Sequence, residues 1–244
     1  MIYSLGVKAG PDPRKHMFSK LQVPGDLSRQ TLEENISHRV LYNSIENQGR
    51  VGTCVAFGVG QVLEAFYRKA NNKQIDISKS AIYSLAKHNF EPQDMKDDGL
   101  YVSDGLRVVQ LLGYVLEQDL PYVDTEQAVL TPVDTRLLKT DFEVKSFLAI
   151  PIDARSIKYA LRAAGPIIMA VQFPRSWEKP GPDGKLSSDI SNPIGGHCMN
   201  IMEDINGEIT IRNQWGTGWG DGGYGYVDMP TLLQVLTDAY TVTF

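Results

Sequence analysis

Residues 47–57 of this 244-residue chain read NQGRVGTCVAF and place one of its two cysteines, Cys54, at the start of an apolar run. The run continues to about Ala70 and changes from apolar on nearly all sides to amphipathic, which predicts a helix with buried first turns. Gly49 and Gly52 allow a tight turn before this helix and leave space for another backbone beside the thiol. Because unpaired N–H groups at a helix N-terminus stabilise a thiolate, Cys54 is a candidate nucleophile.

The composition is that of a globular protein, with 42% apolar and 22% charged residues. The net charge of −5 argues against nucleic acid as a partner, because phosphate backbones require a concentrated basic surface. No segment reaches the ~18 uninterrupted apolar residues of a membrane span, and the N-terminus lacks a signal-peptide pattern. We therefore expect no membrane partner and a cytoplasmic or otherwise reducing compartment, with a virion-associated location as an open alternative.

The first half of the chain is predicted to be mainly helical. Residues 1–45 are punctuated by proline and serine and predict an extended arm over the core, with one short helix near residues 32–40. After the helix that starts at Cys54, helical patterns occur at residues 77–87 and 103–112. The expected caps are Ser78 for the first of these and Ser103 or Asp104 for the second, which Gly113 ends.

The second half is predicted to be rich in β-strands. Strand patterns occur at residues 141–151, 166–173, 197–205, 208–216, 224–229 and 239–244, with one short helix at residues 154–164. Asn206-Gly207 between two of them is a strong hairpin signal. The sequence thus predicts a single α+β domain over residues 1–244, with the arm at 1–45, a helical lobe at 46–130 and an antiparallel β lobe at 131–244. A cleft between the lobes is the expected position of a site.

A nucleophilic thiol needs a base, and His197 is the best candidate among four histidines. In IGGHCMNIM it follows two glycines and starts an apolar strand, so its imidazole can project from a sheet edge into the cleft. His16, His38 and His88 lie in polar or charged segments and are interpreted as solvated side chains. Since an isolated histidine of this kind is more often a satisfied core residue, the assignment depends on a partner for the ring.

Asn213 offers that partner, because it ends the next predicted strand across the hairpin from His197. Its amide oxygen can accept the imidazole N–H and fix the tautomer that turns the other ring nitrogen toward a thiolate. Trp215 and Trp219 follow closely and can keep water from this hydrogen bond; the alternative is that they are ordinary core aromatics. Cysteine, histidine and asparagine then form one candidate catalytic set.

In these residues the chain resembles the papain-like cysteine peptidases. The matching motifs are, in order, QGxxGxCxAF at residues 48–57, GGH at 195–197 and NxWGxxWGxxGY at 213–224. His197 and Asn213 follow Cys54 by 143 and 159 residues, against roughly 130–150 in the family, so the second spacing is slightly long. The resemblance implies the papain-like two-lobe fold with the active-site cleft between a helical N-terminal lobe and an antiparallel β C-terminal lobe.

The resemblance also implies the role of each site residue. Cys54 would be the nucleophile, His197 the general base and acid, and Asn213 the orienting amide. The side chain of Gln48 would form the oxyanion hole with the backbone N–H of Cys54. Gly99 and Leu100 would pair with substrate backbone and help to form a subsite for an apolar side chain. The implied substrate is a polypeptide, and no metal or organic cofactor is expected.

Four positions depart from the family motif, and one of them is Thr53, where serine is usual. Val51 stands where a cysteine is usual, so the disulfide beside the nucleophile is absent and the chain is a short form held together by burial. Val55 replaces a bulky aromatic residue, and Gln214 follows Asn213 where serine is usual. The 47 residues before Gln48 are also too few for the helical inhibitory prodomain together with the mature arm.

The most specific interpretation is a cysteine endopeptidase that acts through a thioester acyl-enzyme. Two alternatives remain: a catalytically silent papain-like protein used for binding or as a structural component of a larger particle, and a thiol acyltransferase or amidase. We expect Cys198 to point away from His197 into the core, with both thiols free. The acidic run at residues 94–98 lacks the ligand spacing of a calcium loop and is interpreted as solvated.

Overall fold

The computed structural model describes residues 4–8, 12, 19–25, 35–93 and 95–243. The helices in these ranges are α1 (Cys54–Asn71), α2 (Lys79–Phe90), α3 (Val102–Leu111), α4 (Glu126–Leu130), α5 (Ala154–Ala163) and α6 (Met229–Val235). The strands are β1 (Ile36–Ser37), β2 (Ser146–Ala149), β3 (Ile167–Pro174), β4 (Pro193–Ile205), β5 (Glu208–Arg212), β6 (Tyr224–Asp228) and β7 (Leu236–Thr243). The predicted α+β fold, helical first and antiparallel β second, is confirmed. None of these helices is long and apolar enough to cross a membrane.

The strands form one antiparallel sheet in the order β2-β7-β3-β4-β5-β6, and β1 pairs with the far end of β4. The predicted hairpin between β4 and β5 is confirmed: Ile205 pairs with Glu208, and Asn206 and Gly207 have φ angles of 53° and 83°. Two consecutive left-handed residues give the tight turn that matches strand twist. This hairpin places the start of β4 near the residues that follow β5.

α1 is the central helix of the first half and lies against β4. Its residues from Cys54 to Phe66 are buried, so hydrophobic burial on nearly all sides holds it in place. Gly58 permits the close approach, since a Cβ there would lie 2.7 Å from the Cys198 sulfur. The N-terminus of α1 is thereby fixed beside the first half of β4, which carries His197.

The ends of two predicted helices show how local chemistry sets them. The Ser78 side chain accepts a hydrogen bond from the Ala81 N–H at 3.1 Å and caps α2, as predicted. The predicted cap of α3 is wrong, because the helix starts at Val102 after Tyr101, without a side-chain cap. Ser103 instead donates to the carboxylate of Asp12 in the arm at 2.9 Å.

The arm differs from its prediction where it is described. Residues 32–34 of the predicted short helix lie outside the described residues, and the rest holds β1 and part of a 3-10 turn (Arg39–Leu41). His38 is buried, with its Nε2 2.8 Å from the Leu161 carbonyl, so its interpretation as a solvated residue is wrong. His88 is half-buried and bonds the Leu130 carbonyl at 2.9 Å, whereas His16 lies outside the described residues. The boundaries given for the arm and the two lobes remain a prediction.

Candidate active site

Cys54 is the first residue of α1, and the loop before it is braced from two sides. The Tyr122 hydroxyl bonds the Thr53 hydroxyl at 2.7 Å and the Gln48 carbonyl at 2.8 Å. The Asp97 carboxylate accepts from the Gly52 N–H at 2.9 Å. These contacts hold the turn that presents the thiol.

The interpretation of the acidic run at residues 94–98 as a solvated loop is therefore wrong for Asp97, whereas Asp98 is exposed, as predicted. Besides Gly52, Asp97 also accepts from the Tyr83 hydroxyl at 2.7 Å, and Asp98 lies 2.5 Å from the Lys87 ammonium. Asp94 itself lies outside the described residues. These contacts connect the acidic run to the loop before Cys54 and to α2.

His197 and Asn213 meet as the hairpin predicts. The His197 Nε2 lies 2.9 Å from the Asn213 Oδ1, and both residues are fully buried. The backbone N–H of Gln214 also donates to Oδ1 at 2.9 Å, which turns the amide oxygen toward the imidazole. Because an amide oxygen only accepts, Nε2 carries the ring proton. Nδ1, which has no hydrogen-bond partner among the described residues, is left to exchange a proton.

Aromatic rings enclose this pair. The ring centroid of Trp215 lies 4.6 Å from that of His197, and Phe173 packs on His197 edge to face at 5.1 Å. Trp219 contacts Trp215 at 6.2 Å and donates its indole N–H to the Trp177 carbonyl at 2.9 Å. Trp215 thus covers the histidine directly, whereas Trp219 supports Trp215. A hydrogen bond in such apolar surroundings is stronger than in water.

Cys198 points away from His197 into the core, as the alternation along β4 predicts. Its side chain packs toward Gly58 and is fully buried. Burial raises the pKa of the Cys54 thiol, and the backbone of Cys198 acts against this increase, which puts the nucleophile candidate close to β4 beside the histidine. Both cysteines are free thiols.

We expect this thiol state in solution. After denaturation without reductant and alkylation, the intact mass should show two added groups, because both cysteines are free thiols in the structure. A mass without added groups, together with a melting temperature that falls on addition of reductant, would instead reveal a bridge between the two cysteines.

The cleft is occupied by the chain itself. Residues 4–8, here called the cleft segment, run as an extended strand between the two walls. The Val7 N–H donates to the Gly196 carbonyl at 3.1 Å on one wall. On the other, Leu100 donates to the Gly6 carbonyl at 2.9 Å and accepts from the Lys8 N–H at 3.0 Å. At Val7 the segment pairs in parallel with the backbone at Leu100 and antiparallel with the backbone at Gly196.

The segment packs so closely against the loop before Cys54 that Gly6 could not be replaced by a residue with a side chain. A Cβ on Gly6 would lie 1.9 Å from the carbonyl oxygen of Gly52, a backbone atom that cannot move aside cheaply. At the end of the segment, the Lys8 ammonium lies 2.8 Å from the Glu91 carboxylate and 3.3 Å from that of Asp98. Backbone pairing and an ionic contact therefore hold the segment down.

Gln48 is buried and binds a peptide carbonyl. Its Nε2 donates to the Ser4 carbonyl of the cleft segment at 3.1 Å and to the Val51 carbonyl at 2.9 Å. Its Oε1 accepts from the side chain of Gln214 at 3.0 Å. Gln48 thus presents an N–H group at the position where the segment passes Cys54.

Burial shifts the pKa values of the thiol and the imidazole in opposite directions. Burial raises the pKa of Cys54 to about 12 and lowers the pKa of His197 to about 4, because both are shielded from water. The expected accessible thiol with a lowered pKa is therefore not present while the segment is in place. Between these two values both groups are neutral.

Sequence reasoning missed several residues that shape the cleft, namely residues 4–8, Asp97, Tyr122, Phe173 and the side-chain role of Gln214. The glycine at position 6 and the departure at position 214 were the available signals. Neither signal indicates which residues lie next to that position in the folded chain.

The chain is similar in sequence to known cysteine proteases. The model of the papain family of cysteine proteases matches residues 33–235. Peptidase 1 of the mite Dermatophagoides farinae is 25% identical over 227 residues, which are 90% of this chain and 65% of that protein. Cysteine proteinase 3 of Entamoeba histolytica is 26% identical over 86% of this chain and 68% of its own length. The chain thus spans about two thirds of these curated relatives.

Solved structures show the same fold. Xylellain, a cysteine protease from Xylella fastidiosa, superposes with a TM-score of 0.81 at 19% identity, over 99% of this chain and 97% of that one. A cysteine protease of Carica candamarcensis gives 0.70 at 19% identity, over 86% and 97%. The matched residues contain both walls of the cleft, and the chain belongs to the papain family of cysteine proteases.

Proposed function

We propose that the chain is a cysteine endopeptidase in which Cys54, His197 and Asn213 hydrolyse peptide bonds through a thioester. The observation that supports this most is the cleft segment, an extended polypeptide backbone bound beside Cys54 with a peptide carbonyl on Gln48. A substrate backbone presents the same donors and acceptors to residues 100 and 196. Gly99 and Leu100 would then receive substrate in place of the arm.

In the first half-reaction, the Cys54 thiolate attacks the carbonyl carbon of the scissile bond. The Gln48 Nε2–H and the backbone N–H of Cys54 stabilise the oxyanion of the tetrahedral intermediate, and one such donor is worth ~3–4 kcal/mol. As the C–N bond breaks, the imidazolium of His197 gives its Nδ1 proton to the leaving amine. The acyl group remains on sulfur as a thioester.

In the second half-reaction, neutral His197 removes a proton from water, whose oxygen attacks the thioester carbonyl. Breakage of the C–S bond releases the acid and restores the thiolate–imidazolium pair. Asn213 keeps the Nε2–H of the ring bonded throughout, so Nδ1 always faces the reacting atoms. The free thiol on which this cycle depends fits a reducing compartment.

The two other functions make different demands on the same cleft. A silent binding or structural component needs neither a hydrogen-bonded His197–Asn213 pair nor a nitrogen held ready at Nδ1. A thiol acyltransferase or amidase shares the first half-reaction and differs in its acceptor or in the amide it accepts. Digestion of a peptide library therefore separates the proposal from both.

The test combines this digestion with active-site labelling by an epoxide thiol inhibitor. We expect internal cleavage of library peptides, loss of cleavage on labelling, and the label on Cys54 rather than on Cys198. Labelled Cys54 without any cleaved peptide would move the assignment to non-peptide amides. Equal labelling of both thiols would remove the basis for an activated nucleophile.

A bell-shaped pH dependence of kcat/KM is expected once the cleft is open. Water that enters reduces the burial that now raises the pKa of Cys54 and lowers the pKa of His197, so a thiolate–imidazolium pair can form. Activity then falls in acid as the thiolate gains a proton, and in alkali as the imidazolium loses one. His197→Ala should remove both limbs together with the activity. A single rise that follows ordinary thiol titration would contradict the ion pair.

A further inference from the structure

Gln214 occupies a central position that the proposed roles leave unused. Its carboxamide is fully buried between Gln48 and the His197–Asn213 pair. Its Nε2 lies 2.8 Å from the Cys198 carbonyl, 3.0 Å from the Gln48 Oε1 and 3.4 Å from the His197 Nε2. This one side chain therefore joins the backbone of β4 to Gln48.

The chemistry of these partners fixes which way each amide points. The Cys198 carbonyl only accepts, so it must face the NH₂ end of Gln214. That group has two hydrogens, and the second is directed at the oxygen of Gln48. The oxygen end of Gln48 is thereby held toward Gln214, and its NH₂ end faces the Ser4 and Val51 carbonyls.

A reversed Gln214 amide would place its oxygen against two acceptors, the carbonyl of Cys198 and Oε1 of Gln48. Leaving buried acceptors unpaired costs ~1–3 kcal/mol each. A hydrophobic residue of the same size would leave the Gln48 oxygen without this donor and remove one of the constraints on its orientation.

We propose that Gln214 is a positioning residue that orients the Gln48 carboxamide, so that its NH₂ group faces the substrate carbonyl oxygen. The inference rests on the proposed peptidase function. The Ser4 carbonyl, at 3.1 Å from the Gln48 Nε2, shows the position that a peptide oxygen takes. Gln214 itself does not contact that oxygen in this arrangement; it acts through Gln48.

Gln214→Met keeps the size of the side chain but removes its donors, and Gln214→Glu replaces the donor by a carboxylate that would attract the Gln48 NH₂ group. Removal of an oxyanion donor costs ~10²–10³-fold in kcat, so a misoriented one should cost about tenfold or more. We expect this loss in kcat with little change in KM, and a larger loss for Gln214→Glu. The oxyanion forms only in the transition state.

The decisive measurement is a double-mutant cycle with Gln48→Ala, read from the acylation burst of a chromogenic ester and from peptide turnover. All variants should also carry Gly6→Ala, which the closed cleft cannot accommodate, because Gln48 otherwise binds the cleft segment. Gln214→Met should lose activity when Gln48 is present and lose almost nothing further when Gln48 is alanine. Gln61→Met is the matched control: Gln61 is buried and donates to Glu46 at 2.8 Å, away from the cleft.

Each outcome separates the two proposals. Losses that add in both backgrounds, or that Gln61→Met reproduces, would reduce Gln214 to a structural residue and leave the peptidase function intact. Unchanged kcat in Gln214→Met would overturn the inference in the same way. A chain whose Cys54 is acylated by neither ester nor peptide would overturn both.

Discussion

Cys54→Ala is expected to lower kcat/KM for peptide hydrolysis by about 10⁴–10⁶-fold, because removal of a catalytic nucleophile leaves only binding and the oxyanion hole. The fold should survive, since the sulfur is small and its helix is held by the apolar residues that follow it. The variant should also lose epoxide labelling altogether.

The measurement compares Cys54→Ala with the parent chain, each with and without the Gly6→Ala substitution. This design distinguishes loss of activity because the nucleophile is absent from low activity because the cleft segment covers it. Cys198 serves as the internal reference for labelling, because it is equally buried and lies on the next β4 position after His197. Retained hydrolysis in the alanine variant would show that another group carries the reaction and would refute the proposed role of Cys54.

Much of the fold could be predicted because its elements carry strong local patterns. The long apolar run after Cys54, the cap at Ser78 and the Asn206-Gly207 turn each specify one structure, and all three were found. The meeting of His197 with Asn213 followed from that hairpin. The five-residue α4 and seven-residue α6 were missed, since so few residues cannot show a helical period.

What the sequence could not show are contacts between segments distant in the chain. His38 lies in a polar stretch, yet it is covered by α5, more than 100 residues later, and bonds its Leu161 carbonyl. Asp97 belongs to an acidic run, yet it accepts from the amide of Gly52, which lies 45 residues earlier in the chain. The pKa of Cys54 was predicted from its helix terminus, but burial outweighs that effect. A local pattern does not specify such partners.

Gly6→Ala is expected to open the cleft. The added Cβ would lie 1.9 Å from the Gly52 carbonyl oxygen, so the segment cannot remain where it is. Its departure breaks three backbone hydrogen bonds, made by Val7 and Lys8 as donors and by Gly6 as acceptor. At ~1 kcal/mol each, they correspond to roughly a hundredfold change in occupancy. The rate of Cys54 alkylation and kcat/KM should rise by a similar factor.

Gly25→Ala provides the matched control, because it makes the same change in the same arm at an exposed residue whose Cβ would meet nothing within 4 Å. It should leave both rates as they are. The segment and a substrate compete for residues 100 and 196. Gly6→Ala should therefore lower KM and leave kcat unchanged, so that the rate increases at low substrate concentration and not at saturation. If Gly6→Ala and Gly25→Ala gave the same alkylation rate, the segment would not be what excludes reagents from Cys54, and burial by the arm could not be the cause of the raised thiol pKa.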